Sequence, residues 1–121
     1  MDLNPIGGPW QPLIHYTLHE WNAGQLAADL MNHYVPLPLA FFLYDVIRAS
    51  LLELGDGSVA YSVLIVGVSR HLRYPDIGSL GVNEFTARII FILRAGQILD
   101  STSPYAIPED HFNLVDYQLT H

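Results

Sequence analysis

Apolar side chains recur at every second position through the stretch from Gly81 to Asp100. Phe85, Ala87, Ile89, Phe91 and Leu93 share one face, while Glu84, Thr86 and Arg88 begin the other, which Ile90 and Ile92 then make apolar too. Such a period of two predicts a long β-strand. Arg94-Ala95-Gly96-Gln97 supplies a tight turn, and the residues up to Asp100 read as a return strand. A strand apolar on both sides needs cover on both sides. Helices are expected over one face and a second subunit over the other.

A different spacing governs the N-terminal half. Thr17-Leu18-His19-Glu20 matches a capping box, and Leu18, Trp21, Ala23, Leu26, Ala27, Leu30, Met31 and Tyr34 follow mostly three or four apart. This predicts a helix over 18–33, weakened locally by Gly24 and ended by Pro36. A second helix is expected from Pro38, with Leu39, Phe42, Leu43, Val46, Ile47, Leu51 and Leu54 on one broad face and Gly55 as its C-terminal cap. Phe41, Tyr44 and Leu52 lie elsewhere on it, so it reads as buried on more than one side.

The β-branched run from Ser58 to about Ser69 predicts a second long strand, with Arg70 to Tyr74 continuing it and 75–81 forming a loop. Ser101 to Glu109 reads as loop or edge. Phe112 to Leu119 reads as a short closing strand with Asn113, Val115, Tyr117 and Leu119 on one face. Two helices ahead of about four antiparallel strands define an α+β domain over 1–121, with 1–12 an irregular arm pinned by Trp10.

Composition narrows the function classes. Half of the 121 residues are apolar and only 14% are charged, which suits a folded core. The net charge of −7 argues against a nucleic-acid groove, which wants clustered Lys and Arg; all five basic residues are Arg. Cys is absent, excluding disulfides and thiolate chemistry. The first residues carry no basic n-region or apolar h-region, and the apolar stretch 35–54 contains Asp45, Arg48, Glu53 and two prolines. The expectation is a cytoplasmic protein with no membrane contact.

The segments Asn22-Ala23-Gly24-Gln25-Leu26, Val66-Gly67-Val68 and Phe91-Ile92-Leu93-Arg94-Ala95-Gly96-Gln97-Ile98, followed by Asp100 and Tyr105, resemble the recurring helix, strand and Gly-turn pattern of the NTF2-like superfamily over residues 18–105. That superfamily includes the SnoaL-like cyclases and ketosteroid isomerase. The resemblance implies a cone in which a curved sheet and helices enclose one apolar pocket, with an acid–base group or two on its wall. The superfamily shares no catalytic motif, so no residue's role carries over by position.

Candidate site residues come from the chain itself. Asp45 and Arg48 stand three apart on the second predicted helix. At a pocket mouth they suit proton transfer; at a surface they form a plain ion pair. His33 is either a catalyst or a partner for the last helical carbonyls. Asp100 sits at a pocket rim or faces outward. These four are the catalytic candidates. Tyr44, Tyr61, Phe91 and Trp21 are the binding candidates, with Tyr61 a hydrogen-bond donor if it points inward. His71, between Arg70 and Arg73, suits a neutral base or a solvated strand end.

His15 and His19 have the spacing of a metal pair, but His15 precedes the helix cap and no Cys assists, so no metal is expected. Neither a serine-nucleophile elbow nor a phosphate-cradling loop is present, so no cofactor is expected.

Two functions fit these features. One is a small-molecule pocket protein, a cofactor-free isomerase, cyclase or dehydratase acting on an apolar metabolite. The other is a non-enzymatic inhibitor or immunity-type protein that binds a basic partner through its acidic surface. A homodimer is expected in either case, because Ile90 and Ile92 leave apolar surface on the face away from the core.

Overall fold

The computed structural model describes residues 9–36, 40–70 and 82–119. A two-residue strand β1 (Gln11–Pro12) precedes a single helix α1 (Leu18–Tyr34), followed by β2 (Ala40–Glu53), β3 (Val59–Arg70), β4 (Val82–Leu93) and β5 (Phe112–Leu119). All strands pair antiparallel in chain order, β1-β2-β3-β4-β5, and α1 lies mainly over β2 and β3. The α+β class holds with one helix, not two. Among the described residues, no helix is long and apolar enough to cross a membrane.

The second expected helix is strand β2. Its helix-like spacing has a physical origin: Tyr44 and Ile47 have no partner in the register with β3, so two bulges interrupt the strand. Inward positions then fall at Phe41, Leu43, Val46, Ala49 and Leu51, with gaps of two and three that imitate a helical stripe. Pairing along both halves of β3 decided the conformation. The expected helix start at Pro38, the continuation to Tyr74 and the loop 75–81 lie outside the described residues.

Two glycines let these layers approach. A Cβ on Gly24 would stand 2.3 Å from Val46 Cγ2, so α1 can sit this low on β2 only without a side chain there. A Cβ on Gly67 would meet the Phe41 ring at 2.3 Å, because that ring lies over the β3 backbone. Asn32 near the end of α1 ties down the start of β2: its amide donates to Phe41 O at 2.7 Å and its carbonyl accepts from Phe41 N at 2.9 Å.

The space between α1 and the sheet is filled by side chains. Leu30, Met31, Phe41, Val63, Ile65, Ile89 and Phe91 are wholly enclosed there. β4 divides its faces as its alternation predicts, with Ala87, Ile89, Phe91 and Leu93 in this core. On the opposite face Ile90 and Ile92 are covered by Trp10, Leu52 and Leu54 of the same chain, beside Ala60. The cover assigned to a second subunit at these two residues is therefore intramolecular, and Trp10 does anchor the N-terminal arm.

The return strand expected up to Asp100 is instead a turn. Gln97 N–H donates to Arg94 O at 3.0 Å, and Thr102 N–H donates to Ile98 O at 2.9 Å. β4 finds its partner in β5, after 3-10 turns at Pro104–Ala106 and Glu109–His111. Tyr34 Oη donates to Ile107 O, closing this connection over the end of α1. β5 carries its own bulge at Val115, which places Leu114 and Tyr117 on the core side; Asn113 pairs with Ile90 and so shares the opposite face. The expected alternation of Asn113, Val115, Tyr117 and Leu119 on one face fails for that reason.

Candidate functional site

The start of α1 is built around a buried carboxylate. Thr17 Oγ1 accepts from Glu20 N at 3.2 Å, the half of the capping box that the sequence predicts, and donates to Ile14 O at 2.7 Å. Glu20, only 3% exposed, reaches past Thr17. Its Oε1 accepts from Tyr16 N at 3.1 Å, and both its oxygens accept from His15 Nδ1, at 2.8 and 2.9 Å. These bonds hold Tyr16 at φ +63°, a left-handed conformation uncommon for a side chain of this bulk. Burying a carboxylate is costly unless it is hydrogen-bonded, and this one is held by two donors, the Tyr16 amide and His15 Nδ1.

His19 lies one residue before Glu20 on the helix. Its Nε2 is 3.0 Å from the Tyr61 hydroxyl, and Tyr61 in turn stacks on Phe91 with ring centroids 5.3 Å apart at 16°. Burial pushes the Tyr61 hydroxyl above its ordinary pKa, so it stays protonated through the neutral range. In the neutral tautomer with the proton on Nδ1, Tyr61 O–H donates to His19 Nε2; with the proton on Nε2, or with both nitrogens protonated, Nε2–H donates to the phenol oxygen, and the phenol proton is free to turn to another acceptor. A cleft of about 360 Å³ opens at His19, lined by Gln11, Pro12, Leu13, Ile14, Thr17, His19 and Leu51, with Tyr61 buried behind the imidazole. The lining is mostly apolar, and His19 is the ionisable group in it.

A second groove of about 320 Å³ lies beside the first helical turn, between Tyr16, Thr17, Leu18, Glu20 and Trp21 of the N-terminal region and Asp45 and Val46 of β2. Asp45 Oδ1 accepts from Val46 N at 2.8 Å. Trp21 is 40% exposed and Tyr16 84%, so both rings face solvent. A third, smaller notch of about 90 Å³ collects Asn22, Gln25, Asp29, Asp100 and Thr102. Burial raises the Asp29 pKa, and the Gln25 amide at 3.2 Å offsets part of that rise.

The expected site residues separate into these places. Tyr61 and Phe91 come together beneath His19, and Trp21 and Asp45 share the second groove. Arg48 does not join Asp45: no ion pair links them, although the register sets them opposite Leu64 and Val66 of one sheet face, and Arg48 is exposed. Tyr44 is an exposed bulge residue, and Asp100 lines the notch beside Asp29. His33 packs edge-on against Tyr34 and Tyr105, each ring 4.5 Å away. His15 and His19 are engaged with different partners. Among the described residues no group of three His, Cys, Asp or Glu is placed to hold a metal.

The chemistry at His19 and Glu20 had a signal in the sequence beyond metal spacing. Glu20 shares a helical row with Ala23 and Ala27 and is buried with them, whereas His19, on the row of Ala23, Leu26 and Leu30, is exposed at the helix start. Neither a protein-family model nor a curated protein matches this chain.

Proposed function

We propose that this is a small-molecule pocket protein acting by cofactor-free proton transfer, with the reacting group in the cleft at His19. The isomerase, cyclase and dehydratase chemistries implied by the NTF2-like resemblance all turn on moving a proton on a largely apolar metabolite. The observation that supports this reading is the His19–Tyr61 hydrogen bond at the edge of an apolar cleft of ligand size. In this scheme His19 accepts the substrate proton at Nδ1, in the tautomer whose Nε2–H donates to the Tyr61 oxygen, and Tyr61 orients the imidazole.

The test uses mono- and bicyclic ketones as probes, following amide shifts at Thr17 and Leu51 and exchange of the ketone α-protons with deuterated water. Catalysed exchange should fall about a hundredfold in His19→Ala, within the usual range for a general base. Tyr61→Phe should lower it less. Absence of shifts at the cleft together with unchanged exchange in His19→Ala would sink the reading.

A second reading, an interaction protein that takes a basic partner, is favoured by a separate observation. Tyr16, Leu18, Trp21, Tyr44 and Ile47 leave large apolar side chains exposed around the α1 start and the bulged part of β2. Exposed Trp and Tyr side chains of this kind are the usual anchors of protein interfaces.

A further inference from the structure

We propose that the groove between Trp21, Tyr16 and Asp45 is a seat for an arginine side chain of a basic protein partner. This rests on the interaction reading and does not depend on proton chemistry at His19. Aromatic rings and one available carboxylate are what a guanidinium requires: the flat cation stacks on ring faces and donates to the acid. Asp45 uses Oδ1 for Val46 N–H, which fixes the carboxylate and leaves its second oxygen for a ligand. Glu20, the other acid of the groove, is buried and already bonded to His15 and Tyr16. It acts instead as the post that holds Tyr16 in its left-handed backbone, with the ring turned out to solvent. Among the described residues no Arg lines the groove, the neighbouring His15 that packs on Tyr16 is engaged by Glu20, and the chain as a whole carries −7, so a cation is the complementary guest. Leu18, 72% exposed, offers an apolar wall for the methylene stem of the same side chain.

The probe is an acetylated, amidated Gly-Gly-Arg-Gly-Gly peptide, with counterparts carrying lysine or uncharged citrulline in place of arginine. Binding is read from the indole N–H resonance of Trp21, identified with Trp10→Phe. The arginine peptide should move that resonance saturably, the lysine peptide more weakly and the citrulline peptide not at all. Asp45→Asn, which keeps a carbonyl oxygen for Val46 N–H, should weaken binding about tenfold, whereas Asp100→Asn, the same change of charge elsewhere, should leave it unchanged. Equal weakening in both variants would mean diffuse attraction to an acidic surface and would overturn the site while sparing the broader reading. A Trp21 resonance unmoved by any peptide, or moved equally by citrulline, would overturn the site outright. Failure of every basic peptide to bind at all would remove the interaction reading with it.

Discussion

Asp29 shows how a single side chain carries a cost that its neighbours only partly meet. Its carboxyl sits in the notch formed with Asn22, Gln25 and Asp100, and burial raises its pKa above that of an ordinary carboxylate. The folded chain therefore holds this proton to a higher pH than the unfolded chain does. Stability falls as pH rises from the unfolded value through the folded one, and the deficit persists at neutral pH. Asp29→Asn keeps an oxygen for the Gln25 amide and cannot ionise. It should stabilise the protein at pH 7 by no more than about 0.5 kcal/mol, the usual ceiling for a half-exposed site. The gain should vanish near pH 3, where both forms are neutral. Denaturant unfolding at the two pH values checks this; an equal gain at both would assign the effect to packing. The opposite case is Asp56, whose carboxylate accepts from the Ser58 hydroxyl and amide and so has a lowered pKa. A carboxylate like this stabilises the hairpin turn between β2 and β3 at neutral pH and loses that role in acid.

At the scale of elements, the contact between α1 and β2 sets the depth of the core. Gly24 faces Val46 in the stretch between the two bulges, with no room for a methyl group. The helical preference for alanine would favour Gly24→Ala by up to about 1 kcal/mol in an exposed helix. Here the added carbon forces α1 off the strand, and overpacking of this kind costs about 1 to 3 kcal/mol. We expect a net loss of stability with faster amide exchange at Val46, both measurable on the purified variant. A stabilised Gly24→Ala would show that the helix has slack against the sheet. The bulges also explain why this strand reads as a helix. Each extra residue shifts the inward set by one, converting a period of two into the spacing of an amphipathic helix. Periodicity alone cannot separate the two, because Leu43, Val46 and Leu51 lie on the apolar side in both conformations; the strand buries Phe41 and Ala49 where a helix would bury Phe42 and Ile47. The winner is decided by the ladder to β3, a pairing between segments that the local pattern of β2 does not record.

For the molecule as a whole, the sheet has two faces with different fates. One is sealed by α1 and the connection through Ile107; the other is covered in part, where Trp10 meets Ile90, Ile92, Leu52 and Leu54. Trp10→Ala should uncover the enclosed Ile92 and cost about 2 kcal/mol, less than removal of a fully buried Trp. The exposed cluster should also bind an apolar dye and promote self-association at high concentration. A variant that keeps its melting temperature and stays free of dye would show that the arm contributes no cover. β4 presented its two faces plainly in the sequence, because an unbulged strand keeps a strict alternation. The arm's role was legible only as the likelihood that an indole seeks burial, and not as the particular isoleucines that it shields.

Local rules were enough to specify α1, with its Thr17 cap and its end before Pro36, along with the long strands β3 and β4 and the closing strand β5. In each of these the chemistry of neighbouring residues fixes the backbone: a cap bond, a missing amide, a run of β-branched side chains. The tertiary structure decided everything that depends on register. It made β2 a strand, sent β4 to β5 instead of to the residues around Asp100, and left Arg48 without an ion pair to Asp45. It also joined His19 to Tyr61 across forty-two positions of chain. Such pairings follow from which backbone amides find partners once the sheet closes, and a one-residue bulge is enough to move a side chain from one face to the other.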